Sequence, residues 1–268
     1  LIKSRLNSNR NIYVEVDNEV WGSLTPTDYN ALEAAALGIQ PYKNYARHAH
    51  KAAMAFKTVF GDTAMNKKIR VDLNWWDFGT NATLDLMCGY LTSTYGAVNQ
   101  YIYSLGAGPG GYFGNEYMTG SKAASVEDIV ISSYKSTTPG DANSGEMDTA
   151  FTNFTAGIAK KYGLALTAKE GGAAMCNPLD PNPVTTKNCI MAYRDSCMAA
   201  SIRKNYLPIL EYGTTVANYY ALSNKYGRYG CWGLTDDINN LSRNSAYKAL
   251  QELMGDLKSP TPPKDLSA

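Results

Sequence analysis

The sequence predicts an α/β fold built on parallel strands, on two observations. Short strand-like runs alternate with longer segments of helical spacing, and the alternation recurs five times between residues 11 and 255 with no linker-like break. At 268 residues the chain is long enough to bury a substantial core without metals or disulfides. Residues 1–258 are therefore read as one domain and the Pro-rich SPTPPKDLSA at 259–268 as a frayed or linker tail.

The elements follow in order. In NIYVEVDNEVW, residues 11–21, Ile12, Val14 and Val16 alternate with Tyr13, Glu15 and Asp17, the pattern of a strand ending in a loop at Asn18 and Glu19. After a long stretch punctuated by Pro26 and Pro41, NYARHAHKAAMAFKTVFG at 44–61 has helical spacing and stops on Gly61. KIRVDLNWW at 68–76 predicts the second strand and ATLDLMCGYLTSTYG at 82–96 its helix. YIYSL at 101–105 predicts the third strand, running into a flexible glycine-rich rim loop at 106–114. Helical sequence is expected at about 125–134 and 147–162, and LALTAKEGG at 164–172 reads as the fourth strand. A loop at 173–190, helical sequence at about 191–226, a fifth strand at 229–237 and a last helix at 245–255 complete the reading.

Lys plus Arg total 25 against 24 for Asp plus Glu, so the net charge of +1 carries no footprint for nucleic acid or an anionic membrane. No run approaches the roughly 18 apolar residues of a membrane-spanning helix, and LIKSRLNSNR lacks the apolar core of a signal peptide. Charged residues make up 18% of the chain while Tyr occurs 20 times, which suggests a Tyr-, Asn-, Ser- and Thr-rich surface of the kind found on carbohydrate-facing proteins. The five cysteines lack C-x-x-C spacing, which favours disulfides over zinc. Cys176 and Cys189 bracket a Pro-containing loop suited to a disulfide, with Cys189 and Cys197 as a competing pair. Sequons at Asn81, Asn153 and Asn240 add to the expectation of a secreted, extracellular glycoprotein.

Active groups of β/α proteins stand at the C-terminal ends of strands, and Glu19 and Glu170 are expected there on the first and fourth strands. Paired carboxyl groups are the equipment of glycoside hydrolysis, one protonating the leaving oxygen and the other attacking the anomeric carbon or activating water. This chemistry needs no metal or organic cofactor. Other signals are weaker. His48 and His50 point about 200° apart on a helix, against joint metal ligation. GAGPGG lacks the following Lys and Ser/Thr of a phosphate loop. Only one of Trp75 and Trp76 can face a cleft, and no G-x-S-x-G supports a serine nucleophile.

The segments IYVEVDNEVWG, GLALTAKEGG and GRYGCWGLTDD followed by AYKAL resemble strands four, seven and eight of the clan A glycoside hydrolases, the retaining (β/α)8 TIM-barrel superfamily. The resemblance spans roughly residues 11–255 and is specific only in those motifs. It implies Glu19 as general acid/base, Glu170 as nucleophile and Asn18 as a sugar-binding amide. Trp21 in the same motif, Tyr112 after the sixth strand and Trp232 on the eighth are the further sugar-binding residues it implies. Asp17, Gly22 and Lys169 depart from the family pattern. Strand four would begin at residue 11, so the chain is expected to supply strands four to eight, with one to three coming from a preceding segment or another chain. The expected function is a retaining glycoside hydrolase acting on a polysaccharide or glycoprotein glycan. The alternative is an inactive barrel of the same type that binds glycan or builds an extracellular assembly.

Overall fold

A computed structural model describes residues 2–7, 9–21, 25–75, 82–114, 125–137, 149–173, 183–211, 213–227 and 230–256. The elements are α1 (Ile2–Arg5), β1 (Ile12–Glu15), α2 (Thr25–Ala36), α3 (Pro41–Phe60), β2 (Ile69–Trp75), α4 (Thr83–Tyr95), β3 (Ser104–Phe113), α5 (Val126–Ser136), α6 (Thr149–Tyr162), β4 (Ala165–Ala173), α7 (Pro183–Arg194), α8 (Met198–Glu211), β5 (Thr214–Ala217) and α9 (Ser245–Asp256). The strands form one five-stranded sheet in sequential order, β1-β2-β3-β4-β5. Pairing is parallel between β1 and β2, β2 and β3, and β4 and β5. Among the described residues β1 pairs with β2 alone. Helices link successive strands, as parallel pairing requires.

The chain divides into two compact units, one of residues 1–110, 149–169 and 212–218, the other of residues 111–148, 170–211 and 219–268. In the first, β2 alternates between two faces. Ile69, Val71 and Leu73 are fully buried against α3 and α4, with Leu84, Met87, Cys88 and Leu91 from α4. Each such side chain contributes on the order of 1.5–3 kcal/mol. Ala46, Ala49 and Ala53 recur at helical spacing along α3 and let its backbone lie close to β2. The opposite face of β2 carries Arg70, Asp72 and Asn74.

That second face shows the sheet to be curled. Thr167 on β4 donates to both carboxylate oxygens of Asp72 on β2, each at 2.8 Å, although β3 runs between them. Strands two apart in a flat sheet lie roughly 9–10 Å from each other, beyond what two short side chains standing off the sheet can bridge. The fold is thus an α/β half-barrel of five parallel strands, compatible with part of a (β/α)8 barrel.

The second unit packs α5, α7, α8 and α9 against one another around Ile129, Tyr193, Met198, Ile202 and Ala249. Ser125 starts α5 with a capping box, its hydroxyl accepting from the Asp128 N–H and the Asp128 carboxylate accepting from the Ser125 N–H.

Four expectations change. β1 ends at Glu15, because the backbone turns left-handed at Asp17 (φ 63°) and Glu19 (φ 48°). The glycine-rich run is no rim loop. It lies within β3, where a Cβ on Gly106 would come within 1.6 Å of the Asn74 amide oxygen, so glycine is what lets β3 pass beneath that side chain. Helix α7 occupies much of the expected 173–190 loop. The fifth strand is Thr214–Ala217, inside the stretch read as helical, where Gly213 and the β-branched Thr214, Thr215 and Val216 disfavour helix. Residues 230–235 instead form a loop paired locally, with Ala221 N–H donating to Trp232 and Leu234 N–H to Ala221, both at 2.8 Å.

Candidate active site

Beyond β1 the chain turns through Asp17, Asn18 and Glu19 before burying Val20. Positive φ is tolerated by Asp but uncommon for Glu, whose Cβ crowds the carbonyl there at a cost of about 1–2 kcal/mol. Glu19 is partly buried and Asn18 exposed. Trp21 packs edge-on against Trp75, ring centres 5.8 Å apart, and Trp75 in turn leans on Tyr45 at 5.9 Å.

Lys169 occupies the inner face of β4 with only 5% of its side chain exposed. Its ammonium lies 2.8 Å from Glu15 Oε1 on β1 and 4.8 Å above the Trp21 ring. A buried cation is tolerable only with such partners. Asp72 lies deeper on the same face, accepting from Ser104 at 2.6 Å as well as from Thr167. Burial pushes its carboxyl up to about 6, against the hydroxyls that favour the charge.

His48 lies between two carboxylates, with Nε2 2.6 Å from Glu33 Oε2 and Nδ1 3.6 Å from Asp17 Oδ2. Asn44 and Arg47, both bonded to Glu33, hold that carboxyl down at about 2. His50 stacks on Tyr95 at 3.9 Å, so the two histidines serve separate surroundings, as their helical spacing predicted. Among the described residues no group of three or more metal-binding side chains forms. No described helix is long and apolar enough to cross a membrane.

In the second unit Glu170 continues β4 as a partly buried residue. Tyr112 and Trp232 do meet, edge to face with ring centres 5.5 Å apart, and Tyr220 approaches the same indole at 6.3 Å. Trp232 lies over Gly230, where a Cβ would come within 2.1 Å of the indole nitrogen. A recess of about 380 Å3 opens beside it, lined by Asn224, Lys225, Tyr226, Gly227, Gly230 and Trp232. Nearby, Gly172 and Ala173 at the end of β4 rest on Tyr219, whose hydroxyl accepts from the Ala173 N–H at 3.3 Å and pairs with Tyr193. Burial pushes the Tyr219 hydroxyl up to about 12. Tyr45, Tyr101, Tyr193, Tyr206 and Tyr226 are buried in the core, while the other described tyrosines keep some exposure to solvent, Tyr29 and Tyr220 at least half of it.

The remaining predicted positions separate. Asn240 is exposed, Asn153 falls in α6, and Asn81 and Cys176 lie outside the described residues. Cys88, Cys189, Cys197 and Cys231 are thiols. The competing Cys189–Cys197 disulfide is therefore not formed: Cys189 is buried on α7 while Cys197 sits on the exposed turn before α8. Sequence reasoning missed the Glu15–Lys169 pair and the Asp72 cluster. Their signal was the alternation of Arg70, Asp72 and Asn74 in KIRVDLNWW, which marks a polar inner face as readily as a solvated one.

The class that fold and site define is an α/β protein on a curled, sequentially ordered parallel sheet with carboxylates near its strand ends. No protein-family model, no curated protein and no solved structure matches this chain.

Proposed function

We propose that this chain is the strand-four-to-eight portion of a retaining glycoside hydrolase. One observation carries the reading. Glu19 follows β1 by four residues and Glu170 falls in the last four residues of β4, the strand ends at which parallel β/α folds gather their chemistry. The left-handed backbone at Glu19 supports it, since strain of this kind concentrates at functional residues.

In this mechanism the Glu170 carboxylate attacks the anomeric carbon as Glu19 protonates the departing oxygen, leaving a glycosyl ester on Glu170. Glu19 then takes a proton from water, whose oxygen displaces Glu170 from the sugar. Asn18, Trp21, Tyr112 and Trp232 are the residues that the resemblance would have contact sugar. The substrate is a polysaccharide or glycoprotein glycan, strands one to three come from a preceding segment or another chain, and the setting is extracellular, supported by the exposed Asn240 sequon. Glycan binding without hydrolysis is the second reading, favoured by the Trp232 recess, which needs no carboxylate to hold a sugar. Release of reducing sugar from a polysaccharide panel tests the first. Glu170→Gln and Glu19→Gln should each lower it at least a hundredfold in a folded protein, and undiminished hydrolysis by either variant overturns the assignment.

A further inference from the structure

We infer that the recess beside Trp232 selects a sugar residue bearing a negative charge, a carboxylate or sulfate on a pyranose ring. The inference rests on the carbohydrate reading above only for the ligand being a sugar. The charge follows from which side-chain groups the recess leaves open.

Several polar atoms of the lining are already committed. Gly227 and Gly230 bond to each other, each N–H donating to the other's carbonyl, at 3.3 and 3.0 Å. The Asn224 amide oxygen accepts from the Gly233 N–H at 2.6 Å, and the Tyr226 hydroxyl donates to the Gly233 carbonyl at 2.6 Å. Of the side chains of Asn224, Lys225 and Tyr226, this leaves the amide nitrogen of Asn224 and the ammonium of Lys225. Both are donors, and Lys225 is exposed with no carboxylate partner among the described residues. A ligand that satisfies two donors must bring acceptors, and a charge-assisted bond from an ammonium goes best to an anionic oxygen. The Trp232 and Tyr226 rings supply the apolar wall against which the C–H face of a sugar packs. Bulk charge does not explain such a preference, since the whole chain carries only +1.

The test is calorimetric titration with trigalacturonate, galactotriose and a sulfated galactose trisaccharide, using the Glu170→Gln variant so that nothing is consumed. Glu170 does not line the recess. At least one of the acidic trisaccharides should bind at least tenfold more tightly than the neutral one, and which of them does so tells carboxylate from sulfate. Lys225→Met should remove that preference, and Lys225→Arg should keep most of it. Equal affinity for neutral and acidic trisaccharides, no binding of any of them, or an unchanged preference in Lys225→Met would overturn the inference. Hydrolysis by Glu170→Gln equal to the parent would overturn the catalytic assignment alone, leaving the recess standing.

Discussion

The ammonium of Lys169 on β4 lies 2.8 Å from Glu15 on β1, and the two partners differ in burial: 5% of the lysine side chain is exposed against 31% of the glutamate. That difference predicts an asymmetry. Glu15→Gln leaves a buried charge without its counter-ion and should cost about 3 kcal/mol, whereas Lys169→Met leaves a glutamate that water can reach and should cost about 1 kcal/mol. Urea unfolding of both variants measures it. Equal costs, or a larger one for Lys169→Met, would contradict the view that the cation is the confined partner.

Asp72 makes stability depend on pH. Its folded-state value of about 6 lies above the ordinary 3.8, so the native state keeps its proton to higher pH than the unfolded chain. The stabilisation is complete below the ordinary value and lost as pH rises through about 6. The difference between the two values corresponds to about 3 kcal/mol. Asp72→Asn should flatten the urea-midpoint profile between about pH 4 and pH 7 relative to the parent. A variant profile parallel to that of the parent would show that Asp72 titrates normally.

Gly106 lies directly beneath Asn74. Gly106→Ala should destabilise by more than about 2 kcal/mol, and the same change made in an Asn74→Ala background should cost less than about 1 kcal/mol, because the obstructing amide is gone. Additive effects would mean that the two residues do not touch.

Thiol reactivity should follow burial. Cys197 is exposed, while burial and the neighbouring Asp85 charge push the Cys88 thiol up to about 12. Alkylation of the native protein, mapped by peptide mass, should modify Cys197 well before Cys88. Equal rates would contradict the packing of α4.

The elements with strong local patterning were legible. The alternation in Ile69–Trp75 and the helical spacing ending at Gly61 appear as β2 and α3. What failed had a local signal pointing the wrong way. Glycines at 106–111 read as a loop because the reason for them is Asn74, thirty-two residues earlier at Gly106 and invisible to any window. Residues 229–237 read as a strand because apolar residues cluster there, yet the backbone groups of Gly230, Trp232, Leu234 and Thr235 bond to residues 221–227. Of the candidate site, the resemblance singled out Tyr112 and Trp232, whose rings the structure brings together, whereas Lys225, which shares a recess with Trp232, carried no motif at all.

The central claim is that Glu170 is a nucleophile, and azide tests it most directly. Glu170→Gly should lose hydrolysis of an activated aryl glycoside, and added azide should restore turnover by entering the vacated space. The product should be a glycosyl azide of anomeric configuration opposite to the substrate. Hydrolysis by Glu170→Gly at the parent rate without azide would contradict the account, as would a folded variant that azide fails to rescue.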